Sequence, residues 1–317
     1  MNDNSIEIVR YSPDMAAEWD NFVANTKNAT FLHLRGYMDY HSDRFNDYSL
    51  IALKNNRIIG VLPANRENST LFSHKGLTYG SWLVPTKHFD ITTMLAIWGE
   101  MSKFLKSNGI NRLIYKPVPY IYHSYPAQED LYTIFRHDGK LIESNISSAI
   151  PVKNALRFDE NARRAVKAAK AAGVTVTESS DFESFWHLLS ELLQSKYGTK
   201  PVHTIDEIKL LASRFPENIK LVAAMLDGKM LGGSVLYKTR HVVHAQYIAA
   251  SPDGKQKKIL PLVFDHIINN INNDDISYFD FGISNEQRGR YLNEGLVMQK
   301  NGMGGRGIVY NTYSIDI

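Results

Sequence analysis

Ile276-Ser277-Tyr278-Phe279-Asp280-Phe281-Gly282 is an apolar run with one carboxylate at its centre. Short, rich in aromatics and closed by glycine, it predicts a buried strand. A carboxylate left unpaired in such a strand costs several kcal/mol, so Asp280 needs a partner, and Arg288, Arg290 and Lys300 are the nearest cations downstream. Upstream, residues 259–271 set Phe264, Ile267, Ile268 and Ile271 on one helical face, and residues 241–250 predict another strand. Strand, helix and strand form a βαβ unit, which demands parallel strands and a right-handed crossover. Ligands of such sheets sit beyond the carboxyl ends of the parallel strands. Ala249, Ala250, Ser251, Asp280 and Gly282 fall there.

Further out, residues 221–225 and 230–237 flank Asp227-Gly228, a hairpin with type I′ turn chemistry. A helix over 181–193 precedes it. The first half of the chain shows the same order. A strand is predicted at 6–12, helices at 15–26 and 31–45, a hairpin at 50–62 around Asn55-Asn56, a strand at 71–83, a helix at 91–105 and a strand at 111–115. Gly60 answers Gly232 and Ile91 answers Ile259, a nearly constant offset of about 170 residues. Two copies of one α/β unit, each an α+β mixed sheet with helices on both faces, are expected at residues 1–152 and 153–317.

The 317 residues suit two domains. A charge of +3 is too small for duplex nucleic acid. No apolar run is long enough to span a bilayer, and residues 1–5 lack the features of a secretory signal. The absence of cysteine removes disulfides and thiolate chemistry, and no metal-ligand spacing occurs, since His241 and His244 lie three apart on a strand and face opposite ways. A cytoplasmic location is expected.

Three stretches carry a resemblance: Asn161 to Val174, with Arg163, Arg164, Lys167 and Lys170; Tyr278-Phe279-Asp280-Phe281-Gly282; and Gly295-Leu296 followed by Gln299-Lys300-Asn301-Gly302-Met303-Gly304. With the order of elements, they resemble tandem GNAT (acyl-CoA N-acyltransferase) proteins related to the Fem-type (FemABX-like) aminoacyltransferases. The resemblance implies acyl transfer from acetyl-CoA or another acyl-CoA to an amine or hydroxyl of a small acceptor such as an amino-sugar or cell-envelope precursor. It implies as an alternative transfer from aminoacyl-tRNA to a peptidoglycan precursor. A degenerate pair that only binds a ligand is the third reading. Two features depart from the families: the loop after 241–250 has one glycine, Gly254, where GNAT pyrophosphate loops have more, and the long helical arm of cell-wall Fem enzymes is missing.

The resemblance places Lys300 in the transfer step, and a cation there suits a tetrahedral oxyanion. Asp280 could orient the nucleophile or take its proton. Tyr291 matches a tyrosine that reprotonates the leaving thiolate. Tyr247, Ala249, Ser251, Gly254, Lys255, Lys257 and Lys258 are expected at the donor, the lysines acting with the amides at a helix N-terminus. Tyr247 and Gln246 lie on one predicted strand, and His244 shares the face of Gln246. Arg163 and Lys167 share a helix face suited to phosphate. Arg288 and Arg290, with Arg35, Tyr37 and Tyr79 from the first copy, are expected on the acceptor side, in a cleft between the copies.

Overall fold

A computed structural model describes residues 5–271 and 275–317. The chain divides into two compact units, one running to Asn145 and including Val309–Ile317, the other Ile146–Ile308.

In the second unit, neighbouring strands run in the order 147–151, Tyr278–Ile283, Val242–Ala250, Lys229–Lys238, Ile219–Leu226 and Thr175–Ser179. Every pairing is antiparallel except Val242–Ala250 with Tyr278–Ile283, which is parallel as the βαβ pattern requires. The turn at Asp227 (φ 50°) and Gly228 (φ 76°) has the left-handed backbone of type I′. Alternation along the central strands sorts their side chains. Phe279 and Phe281 turn to one face and pack against Phe264 of helix Ile259–Asn270, Phe281 edge-to-face at 5.0 Å and Phe279 tilted at 5.8 Å. Ala162 and Ala169 of helix Glu160–Ala171 join that core. Asp280 and Tyr247 turn to the other face, where Trp186 of helix Phe182–Tyr197 stacks edge-on against Tyr247 at 4.9 Å.

The first unit has a three-stranded antiparallel sheet, Ile6–Arg10, Leu50–Lys54 and Arg57–Leu62. Next in sequence come Asn65–Glu67 and Thr70–Phe72, the latter parallel to Arg112–Tyr115. Residues 313–316 of the last strand complete this set beside Arg112–Tyr115. Helix Ile91–Ser107, capped by Asp90 on the amide of Thr93, buries Met94, Ile97, Trp98, Met101 and Leu105. A parallel strand pair on either side of a helix thus occurs in both units, as the repeat implies.

Two elements differ from expectation. Residues 31–45 form three short turns, Phe31–His33, Arg35–Met38 and Asp39–His41, because Leu34 is extended (ψ 143°). The His33 ring accepts from the amide of Thr30, closing the first turn on itself, and Asp20 accepts from the amide of Arg35 to start the second. The strand expected at 71–83 stops at Phe72, and His74 adopts φ 55°.

Candidate active site

The parallel strands pair at Val242–Tyr278, Val243–Phe279 and His244–Asp280, and then part. Two irregularities separate them. Gln246 is an extra residue, since Val235 faces Tyr247 while Leu236 faces Ala245. The other strand breaks register between Asp280 and Ile283, where Gly282 adopts φ 79°. A β-carbon at Gly282 would lie 3.4 Å from His244 Cε1, so glycine serves both the turn and the space beside the imidazole.

Asp280 is fully buried at this divergence. Its Oδ1 accepts from Ser147 Oγ at 2.5 Å and from the amide of Gly282 at 3.1 Å. Its Oδ2 accepts from His244 Nδ1 at 2.8 Å. Arg288 and Arg290, the partners expected from sequence, are instead exposed on the turn between the short strands Asn285–Glu286 and Tyr291–Leu292. His244 takes their place, set opposite Asp280 by a register between the parallel strands that no local pattern encodes.

Lys300 lies in helix Glu294–Gly302, started by Asn293 Oδ1 accepting from the amide of Leu296. Only 3% exposed, it donates from Nζ to the carbonyls of Gly282 at 2.7 Å and Ile283 at 2.8 Å. Burial lowers its pKa to about 8, with the charge of Asp280 acting the other way. A cation and an imidazole–carboxylate pair therefore converge on Gly282.

The helix that carries Lys300 also borders, through Met298 and Gln299, a cavity of about 430 Å³ whose lining includes Ala250, Gly254, Lys255 and Lys258, at the N-terminus of helix Ile259–Asn270. Gly254 is buried so tightly that a β-carbon would meet the Leu231 carbonyl at 2.4 Å. Ser251 Oγ caps the turn Pro252–Gln256 by accepting from the Gly254 amide. Lys257 lies in the connection to the longer helix. Tyr247 and Ala249 do not line the cavity: they alternate to the opposite sheet face from Ala250, and the Tyr247 hydroxyl is hydrogen-bonded to His203 Nδ1.

The remaining candidates are dispersed. Arg163 and Lys167 are exposed on helix Glu160–Ala171, and Arg163 borders a separate recess with Arg157 and Asp265. Tyr291 is 52% exposed. In the first unit Tyr37 packs edge-on against Phe31, Tyr79 packs on Tyr122 at 4.7 Å, and Arg35 is held by Asp39 and Asp47.

Residues 157–291 match the family model of the acetyltransferase (GNAT) domain. Solved structures share the fold of the whole chain. FemX aligns with TM-score 0.69 at 13% identity, covering 98% of this chain and 97% of that one. The C-terminal domain assigned to a lysylphosphatidylglycerol synthetase from Agrobacterium fabrum aligns with TM-score 0.60 at 10% identity, covering 95% and 92%. A tandem GNAT protein from the clavulanic acid biosynthesis pathway aligns with TM-score 0.56 at 9% identity, covering 98% of each chain. No curated protein matches the chain in sequence. The second unit therefore carries a GNAT domain, and the chain as a whole has the fold shared by FemX and the tandem GNAT protein. No described helix is long and apolar enough to cross a membrane.

Proposed function

We propose that the second unit moves an acyl group from an acyl-CoA donor to an amine or hydroxyl of a small acceptor. The observation that carries this reading is the slot between Val242–Ala250 and Tyr278–Ile283, with Lys300 buried at its edge and the cavity alongside. Lys255 and Lys258 border that cavity and suit a pyrophosphate, with amides at the start of helix Ile259–Asn270 as additional donors. The Lys300 ammonium is charged at neutral pH and suits the oxyanion that forms as an acceptor attacks a thioester. The tandem GNAT neighbour, whose structure is described as lacking AcCoA, supports acetyl-CoA as the first donor to test. An amino-sugar or cell-envelope precursor is the acceptor class we favour.

A second reading, aminoacyl-tRNA as donor, draws on one further observation. Arg163, Arg164, Lys167 and Lys170 stand exposed along helix Glu160–Ala171, which packs against the helix that Lys255, Lys257 and Lys258 precede. Acetyl-CoA at about a hundred times its Kd should stabilise the protein by roughly 2.7 kcal/mol and raise Tm visibly. An unchanged Tm with acetyl-CoA, together with RNase-sensitive transfer, would favour tRNA instead.

A further inference from the structure

We propose that His244 is the general base that takes the acceptor's proton, with Asp280 and Ser147 as positioning residues. The assignment rests on the acyl-transfer reading above and adds a catalytic residue to it. Asp280 is fully buried and receives donors at both oxygens, so an acceptor does not reach it directly. Its geometry acts through the neighbouring ring. Because Oδ2 accepts from Nδ1, the neutral imidazole carries its proton on Nδ1 and leaves the lone pair on Nε2. Ser147 Oγ and the Gly282 amide both bind Oδ1, which fixes the carboxylate plane and thereby the ring.

The free edge of that ring is the useful one. His244 retains 14% side-chain exposure, whereas Asp280 has none. Gly282 presents no side chain to it: a β-carbon there would lie 3.4 Å from Cε1 and 4.0 Å from Nε2. Lys300 holds the carbonyl of the same glycine. Base and cation therefore flank one residue at the mouth of the slot, the arrangement that acyl transfer needs.

The protons and electron pairs balance as follows. An amine acceptor arrives as the ammonium and gives one proton to His244 Nε2, which later returns it to water. The freed lone pair forms the C–N bond at the thioester carbonyl. As the C–S bond breaks, its electron pair goes to sulfur, and the surplus proton on nitrogen passes to the thiolate.

Asp280→Asn is diagnostic because Oδ1 already accepts two hydrogen bonds. The amide oxygen takes that position, the NH₂ group faces Nδ1, and the ring must switch to the Nε2–H form. Nitrogen-15 NMR of histidine-labelled protein should show Nδ1–H at His244 in the wild type and Nε2–H in Asp280→Asn. Transfer from acetyl-CoA supplies the second arm, with ethanolamine as a basic acceptor and hydroxylamine as one already unprotonated at neutral pH. His244→Gln should lose about 10²–10³ in kcat with ethanolamine and stay within about threefold with hydroxylamine. An Nε2–H tautomer in the wild type would overturn the assignment, as would equal slowing with both amines, which marks a purely structural pair. Absence of thiol release by the wild type with either amine would reject the acyl-CoA reading, and the tautomer would then decide the role of His244 alone.

Discussion

Lys300 holds an ammonium where burial opposes it, and the consequence can be measured. Its pKa is about 8 in the folded chain against 10.5 for a free lysine. Between those values the unfolded chain binds more protons than the native one, so stability rises with pH across the window. Below about 8 the group is charged in both states and the full desolvation cost remains. Lys300→Met should abolish the rise in urea-melt stability between pH 8 and 10.5, and leave stability at pH 7 equal or higher. The same substitution should lower the transfer rate by about 10²–10³ if the cation meets the oxyanion. In the wild type the rate should decline above pH 8 as the ammonium titrates. A variant that transfers normally but melts early at pH 7 would make Lys300 a structural clamp. Asp280 could be singled out from sequence because a carboxylate inside an apolar strand is costly, whereas Lys300 stood out only through the resemblance carried by the stretch around it. The partner of Asp280 could not be read in the same way, since it depends on the register between two strands about 35 residues apart. Tyr37 and Tyr79 show the reverse failure: the sequence does not distinguish an aromatic ring in a cluster from one lining a site.

At the level of elements, legibility followed local chemistry. Both hairpins were readable because their turns need left-handed residues, and Asn55, Asn56, Asp227 and Gly228 all have positive φ. Helix Glu294–Gly302 was not, since it contains two glycines and its buried residue is a lysine, so no apolar period marks it. The strand Lys140–Pro151 was hidden for a related reason: its serines and asparagine interrupt the alternation that identifies strands. The turn Pro252–Gln256 gives a test at this scale. Gly254 is wedged against the Leu231 carbonyl, and that atom is backbone and has little room to yield. Gly254→Ala should therefore displace the segment that carries Lys255 and Lys258. We expect acetyl-CoA affinity to fall at least tenfold, with the helix Ile259–Asn270 retained by circular dichroism. Unchanged affinity would place the donor elsewhere.

Across the whole molecule, the repeat in sequence corresponds to a repeated parallel pair flanking a helix, Thr70–Phe72 with Arg112–Tyr115 and Val242–Ala250 with Tyr278–Ile283. The patterns predicted the hairpin, the parallel strand pair and the helix between its strands in the second unit, because each carries its own period. They were silent on which strand the chain end would join: Tyr313 pairs with Tyr115 in the first unit, a long-range choice that no local pattern encodes. The units also differ in chemistry. Among the described residues, only the second unit combines the opened pair with the buried Lys300, the His244–Asp280 bond and the adjoining cavity. Hydrogen–deuterium exchange in the presence of a non-transferable acyl-CoA analogue tests that asymmetry most directly. Protection should appear at residues 251–262 and 294–303 and be absent from 91–116. Protection confined to the first unit, or none at saturating analogue, would contradict the account.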